Sequence, residues 1–240
     1  MARTSLVIWS ALLTSVLVSG PAHAQQAGPF DAPPARVVRG SAGQPLAATP
    51  GADPVEVVRS YLRNSGHSGA TVSSVVLTSR TTVARTGVTH LRFTQRVGAL
   101  DVYGTYLKAS VDAQGNLISI IENLVPAREI GGGPLAGGEG RALAIGLQQV
   151  HGDQVPPGFV RRQGNTSVFA RTAFFHREPT VTRVAIPMGA AGLRLGYLVE
   201  TWSDRANELH HTLVGGDARS LASKREPRTT PTPSLRRILA

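Results

Sequence analysis

The stretch 91-LRFTQRVGALDVYGTYLKASVDAQGNL-117 decides the fold class. Leu91, Phe93, Gln95 and Val97 alternate with His90, Arg92, Thr94 and Arg96, the period-two pattern of a half-buried strand. Gly98-Ala99 predicts a tight turn, and 101-DVYGTYLKASV-111 a second strand. The turn 112-DAQGN-116 carries its glycine late, as hairpin loops of this length favour. A third strand follows at 117-LISIIENLV-125, and the β-branched run 72-VSSVVLTSRTTVA-84 supplies a further one upstream.

Before these strands lies a helix, 53-DPVEVVRSYLRNSG-66. Asp53 is a good N-cap, Pro54 sits where a missing N–H costs nothing, and Glu56 is placed to complete a capping box. Val55, Val58, Tyr61 and Leu62 make one apolar stripe, and Gly66 ends it. One helix followed by antiparallel strands is an α+β plan, with the helix covering one sheet face.

After Pro126 the Gly-rich run 131-GGGPLAGGEG-140 predicts a linker over 126–138. No Lys-Ser or Lys-Thr follows it, so it is not a phosphate loop. The plan then repeats. Residues 139-EGRALAIGLQQVHG-152 predict a second helix, with Leu143, Leu147 and Val150 on one stripe. Strand-like pieces follow at 166-TSVFARTAFF-175, 181-VTRVAIPM-188, 193-LRLGYLVETWSD-204 and 208-ELHHTLVGG-216. The expected organisation is therefore two α+β modules, 51–125 and 139–225, and a basic, proline-containing tail over 226–240.

The N-terminus predicts export. Arg3 precedes an apolar run, 6-LVIWSALLTSVLVSG-20, and 22-AHA-24 offers small residues for cleavage after Ala24. The run is short for a membrane span and ends in Gly20-Pro21. Residues 25–50, rich in Gly, Pro, Ala and Gln, predict a flexible leader. A secreted or periplasmic chain without cysteine must be held by its core. The net charge of +10 comes almost wholly from arginine, since Lys108 and Lys224 are the only lysines. The arginines are scattered and aromatics make up 5%, a composition that favours acidic protein partners over nucleic acid.

No catalytic constellation is visible. A His-Glu-x-x-His zinc site is absent, because no histidine is followed by glutamate. His210 and His211 are adjacent in a strand pattern and point to opposite faces, so they do not converge on one metal. The segment 66-GHSGA-70 departs from a nucleophile elbow, its second glycine coming one residue early. The carboxylates are isolated, with no seat for paired acid–base chemistry. Neither enzyme activity nor a metal or other cofactor is expected.

The run from His90 to Val125 resembles the fungalysin/thermolysin propeptide domain. Its Arg-x-x-Gln strand stands here as Arg92-Phe93-Thr94-Gln95, its Val-aromatic-Gly strand as Val102-Tyr103-Gly104, and its Gly-containing hairpin as Asp112-Ala113-Gln114-Gly115. Ala99 departs from the glycine the family often has in the turn. The second half is similar to the PepSY-like region of fungalysin-type precursors, through 195-LGYLVETWSD-204 and 207-NELHHTLVGGDARSLASKREPRT-229. The resemblance implies two cystatin-like modules, each a helix on an antiparallel sheet. It implies binding to a zinc metallopeptidase catalytic domain, as an inhibitor or an intramolecular chaperone. Arg92, Gln95, Val102, Tyr103 and Gly104 are the expected partner-binding residues. Such domains lead into a catalytic domain that this sequence does not contain, so a truncated precursor is one alternative. A cell-envelope binding module is another.

Overall fold

The computed structural model describes residues 33–226 apart from 42–43, 153 and 205. The expected signal segment, with Ala24, and nearly all of the expected tail lie outside the described residues. The first departure comes early. Part of the expected leader is sheet: β1 (Arg36–Arg39) and β2 (Ala47–Ala48) both pair antiparallel with the strand Asn116–Glu122. A strand added at a sheet edge needs only backbone donors and acceptors, which composition does not reveal.

Helix α1 (Pro54–Asn64) follows as the sequence predicts. The Asp53 side chain accepts from the Val55 N–H, and Arg80 donates to its second oxygen at 2.6 Å. Glu56 turns to Arg59 at 2.8 Å, so the expected capping box gives way to an i,i+3 ion pair. The short α2 (Gly69–Ser73) was not foreseen: its N-cap Ser68 accepts from Thr71 where a loop was expected. Then come β3 (Val75–Thr82), β4 (Thr89–Val97), β5 (Leu100–Asp101), β6 (Leu107–Val111) and β7 (Asn116–Glu122). The first sheet runs β1-β7-β6-β4-β3. Val57, Val58 and Leu62 of α1 pack on Leu91, Phe93, Leu107 and Ile120, all buried. Each such side chain contributes roughly 1.5–3 kcal/mol of burial. The expected single strand over 101–111 breaks at Gly104, whose φ of 74° belongs to a turn.

The Gly-rich segment is anchored. Its β8 (Ile130–Gly131) pairs parallel with the strand Leu193–Ser203, and buried Leu135 donates its N–H to the Tyr197 hydroxyl at 3.1 Å. Helix α3 (Gly138–His151) is followed by β9 (Phe159–Gln163), β10 (Thr166–Phe169), β11 (Thr180–Pro187), β12 (Leu193–Ser203), β13 (Glu208–Gly215) and β14 (Ser220–Glu226). The second sheet runs β14-β13-β12-β11-β10-β9, every pair in this order antiparallel. Leu143 and Leu147 of α3 pack on Val181, Tyr197, Val199 and Val214. Gly146 permits this close approach, because a Cβ there would stand 2.8 Å from the Val199 side chain. Two modules of like plan result, each α+β with helix on antiparallel sheet. No helix among the described residues is long and apolar enough to cross a membrane.

Candidate interaction surface

Helix α1 covers one face of the first sheet and leaves the other open. Two rows of side chains cross that open face, set by strand register. One runs Arg39, Ser119, Ser110, His90, Thr81 from β1 to β3. The next runs Val37, Ile121, Lys108, Arg92, Ser79. Neither row contains a carboxylate. The middle strands floor a shallow depression of about 400 Å³. His90 Nδ1 lies 3.0 Å from Ser110 Oγ, and the Lys108 ammonium sits 5.4 Å from the Tyr106 ring centre. Arg39, Arg92 and Lys108 make no ion pair among the described residues. Arg92 and Lys108 are directly opposite each other across β4 and β6. A like-charge pair in that position destabilises a sheet by a few tenths to about 1 kcal/mol.

The five residues singled out in the sequence separate into two groups. Arg92 is exposed on the open face. The other four are fasteners or lie at the junction between modules. Gln95 is fully buried: its side-chain N–H groups donate to the Val125 carbonyl at 2.6 Å and to Ser74 Oγ at 3.1 Å, while its oxygen accepts from the Val125 N–H. Val102 is 2% exposed and packs with Val125, Ala185 and Leu193, a cluster drawn from both modules. The Tyr103 N–H donates to the Ala185 carbonyl at 2.8 Å, and its half-buried ring meets Val184, Ile186 and Leu213 of the second sheet. The Gly104 carbonyl accepts from the Asn123 amide at 2.6 Å. Gln95, Val102 and Gly104 thus close the first module and join it to the second.

The second module uses its charges differently. Glu139, in the first turn of α3, accepts from Arg183 at 2.6 Å and Arg162 at 2.9 Å. Burial pushes its carboxyl up, but its own backbone N–H and the two guanidiniums outweigh this and hold it below the usual range. Arg161 grips Glu178 with two bonds of 2.7 Å. Hydrogen bonding by His211 holds Glu200 low, helped by Arg177 and opposed by burial. His210 and His211 point to opposite sides, toward Glu208 and Glu200 respectively, as strand alternation requires. No cluster among the described residues could hold a metal ion.

Residues 73–124 match the family described as Fungalysin/Thermolysin Propeptide Motif. The match spans β3 to β7, which build the open face together with β1, a strand outside the match. No curated protein matches the chain. Among solved structures, the Bacillus megaterium YpeB C-terminal domain is similar at 9% identity, over 76% of this chain and 69% of that one, with a TM-score of 0.31. That likeness is too slight to bear on function.

Sequence reasoning found Arg92 but not its neighbours Arg39, Lys108, Ser110 and Ser119. Alternation shows which residues of one strand share a face. Which residues of the next strand lie beside them depends on register, and the bulges in β3 and at β6–β7 shift it.

Proposed function

We propose that this chain is an exported, propeptide-like protein that binds a fungalysin/thermolysin-type zinc metallopeptidase domain and inhibits it or assists its folding. The propeptide match over residues 73–124 carries the reading. The open face supports it, because it offers a shaped, exposed surface to another protein, most of it within the matched segment. Binding of this kind needs area and fit rather than nucleophiles. The partner-facing role falls to Arg92, with Gln95, Val102, Tyr103 and Gly104 holding the strands that present it. The second module serves as a PepSY-like extension of the same surface-bearing unit.

The test is titration of a purified fungalysin-type catalytic domain with the recombinant chain. Saturable, stoichiometric inhibition is the expected result. Undiminished proteolysis, together with no gain in refolding yield of the denatured catalytic domain, would remove the reading for that enzyme.

A further inference from the structure

The open face of the first sheet breaks a local rule. Arg92 and Lys108 face each other across β4 and β6 with no anion between them, and Arg39 adds a third cation to the same face from β1, in the adjoining row and beyond β7. Elsewhere in this module Arg80 pairs with Asp53, Arg96 with Asp101 and Arg59 with Glu56, so opposite charges do meet where the sequence supplies them. A merely solvated face mixes both signs of charge, whereas a single-sign field steers and holds an opposite one. Natural sequences tolerate such conflicts mainly at functional sites.

From this we infer that the face is a docking site for a carboxylate-rich surface of the protein partner. An incoming carboxylate seated between Arg92 and Lys108 would turn a repulsive pair into two charge-assisted bonds. Ser110 and Ser119 lie in the adjoining row as neutral hydrogen-bonding groups, and Val37 and Ile121 continue the Arg92 row as an apolar rim. No Phe, Tyr or Trp stands in either row to stack a base, which favours protein over single-stranded nucleic acid. The inference rests on the reading of the chain as partner to a metallopeptidase domain, and it adds where and by what chemistry that partner is held.

The experiment compares the full-length chain with Arg92→Thr, Lys108→Thr and, as a control of equal charge change, Arg85→Thr in the exposed β3–β4 turn. Arg92→Thr and Lys108→Thr are each expected to raise the melting midpoint by about 1–2 °C and to weaken binding of the catalytic domain by about tenfold. Added salt should weaken the wild type more than either variant. Arg85→Thr should bind as the wild type does. A more stable chain that binds worse is an outcome no purely structural role produces. If all three variants bind like the wild type, the docking site is wrong while the metallopeptidase reading stands. If the wild type itself does not bind the catalytic domain, that reading fails, and an oligo-glutamate peptide at low salt then judges the face alone. Binding of the peptide that is lost in Arg92→Thr upholds the site. Equal binding by wild type and variant, or binding only to phosphatidylglycerol vesicles, overturns it.

Discussion

The two modules share a plan and fasten it by different chemistry. In the first, a neutral amide does the work: buried Gln95 closes on both backbone groups of Val125 and on Ser74. In the second, a carboxylate does it: Glu139 ties the start of α3 to Arg162 on β9 and Arg183 on β11. The difference teaches which of the two joints can titrate. A module closed by an amide keeps that joint whatever the pH, although its surface carries ion pairs such as Arg80–Asp53. A module closed by a carboxylate loses that joint when the carboxylate is protonated.

The largest expected effect breaks the first fastener. Gln95→Leu keeps the size and removes the amide, leaving the buried N–H and carbonyl of Val125 without partners. Each unsatisfied group costs about 1–3 kcal/mol, so a loss of roughly 2–5 kcal/mol is expected in denaturant unfolding. Among the described residues Trp202 is the sole tryptophan and lies in the second module. Its fluorescence should therefore shift at a higher denaturant concentration than the circular dichroism of the whole chain. Coincident transitions would show that the junction at Val102 and Ala185 makes the modules one cooperative unit. A loss below about 0.5 kcal/mol would show that Gln95 is not the fastener.

That test bears on what was legible beforehand. The helix stripe Val58, Tyr61, Leu62 and the alternation from Leu91 to Val97 are local periodicities, and both survive in the structure. The motif around Gln95 and Val102 was visible, but its use was not. Whether a strand residue faces a partner or a neighbouring loop depends on contacts 30 residues away, as in Gln95 to Val125. The same holds for β1, β9 and β14, which are edge strands. Their stability comes from backbone pairing with strands already in place rather than from any apolar pattern of their own. The anchoring of Leu135 by Tyr197 hides inside a Gly-rich run for the same reason.

The second fastener should fail in acid. Because Glu139 is held below its ordinary range, the folded state releases its proton more readily than the unfolded chain. Its contribution is present above the unfolded pKa and is lost as pH falls through the folded one. Glu139→Gln should cost roughly 1–2 kcal/mol near neutral pH, since both guanidiniums are part-exposed and screened. It should also flatten the decline in stability between about pH 5 and pH 3. Thermal melts of wild type and variant across that window measure both effects. An unchanged slope would place the acid sensitivity on the other carboxylates held low, Asp53, Asp112, Glu178 and Glu200.

The smallest effect lies at the far end of the same helix and sharpens the contrast at milder pH. His151 closes α3 with its Nε2 3.0 Å from Thr201 Oγ1, its ring 5.1 Å from those of Phe174 and His210. Burial, and then the neighbouring His210, push its pKa down, while Glu208 opposes them. A depressed histidine favours the folded state above its unfolded pKa, and that contribution disappears as pH falls. His151→Gln can keep the bond to Thr201 without titrating. Its stability between about pH 7.5 and pH 5.5 should therefore fall less than the wild type's, by a few tenths of a kcal/mol after solvent screening. Glu208→Gln should move the other way, since it removes the one charge that eases His151 protonation. If both variants track the wild type over this range, the mild-acid response is not set at this end of α3.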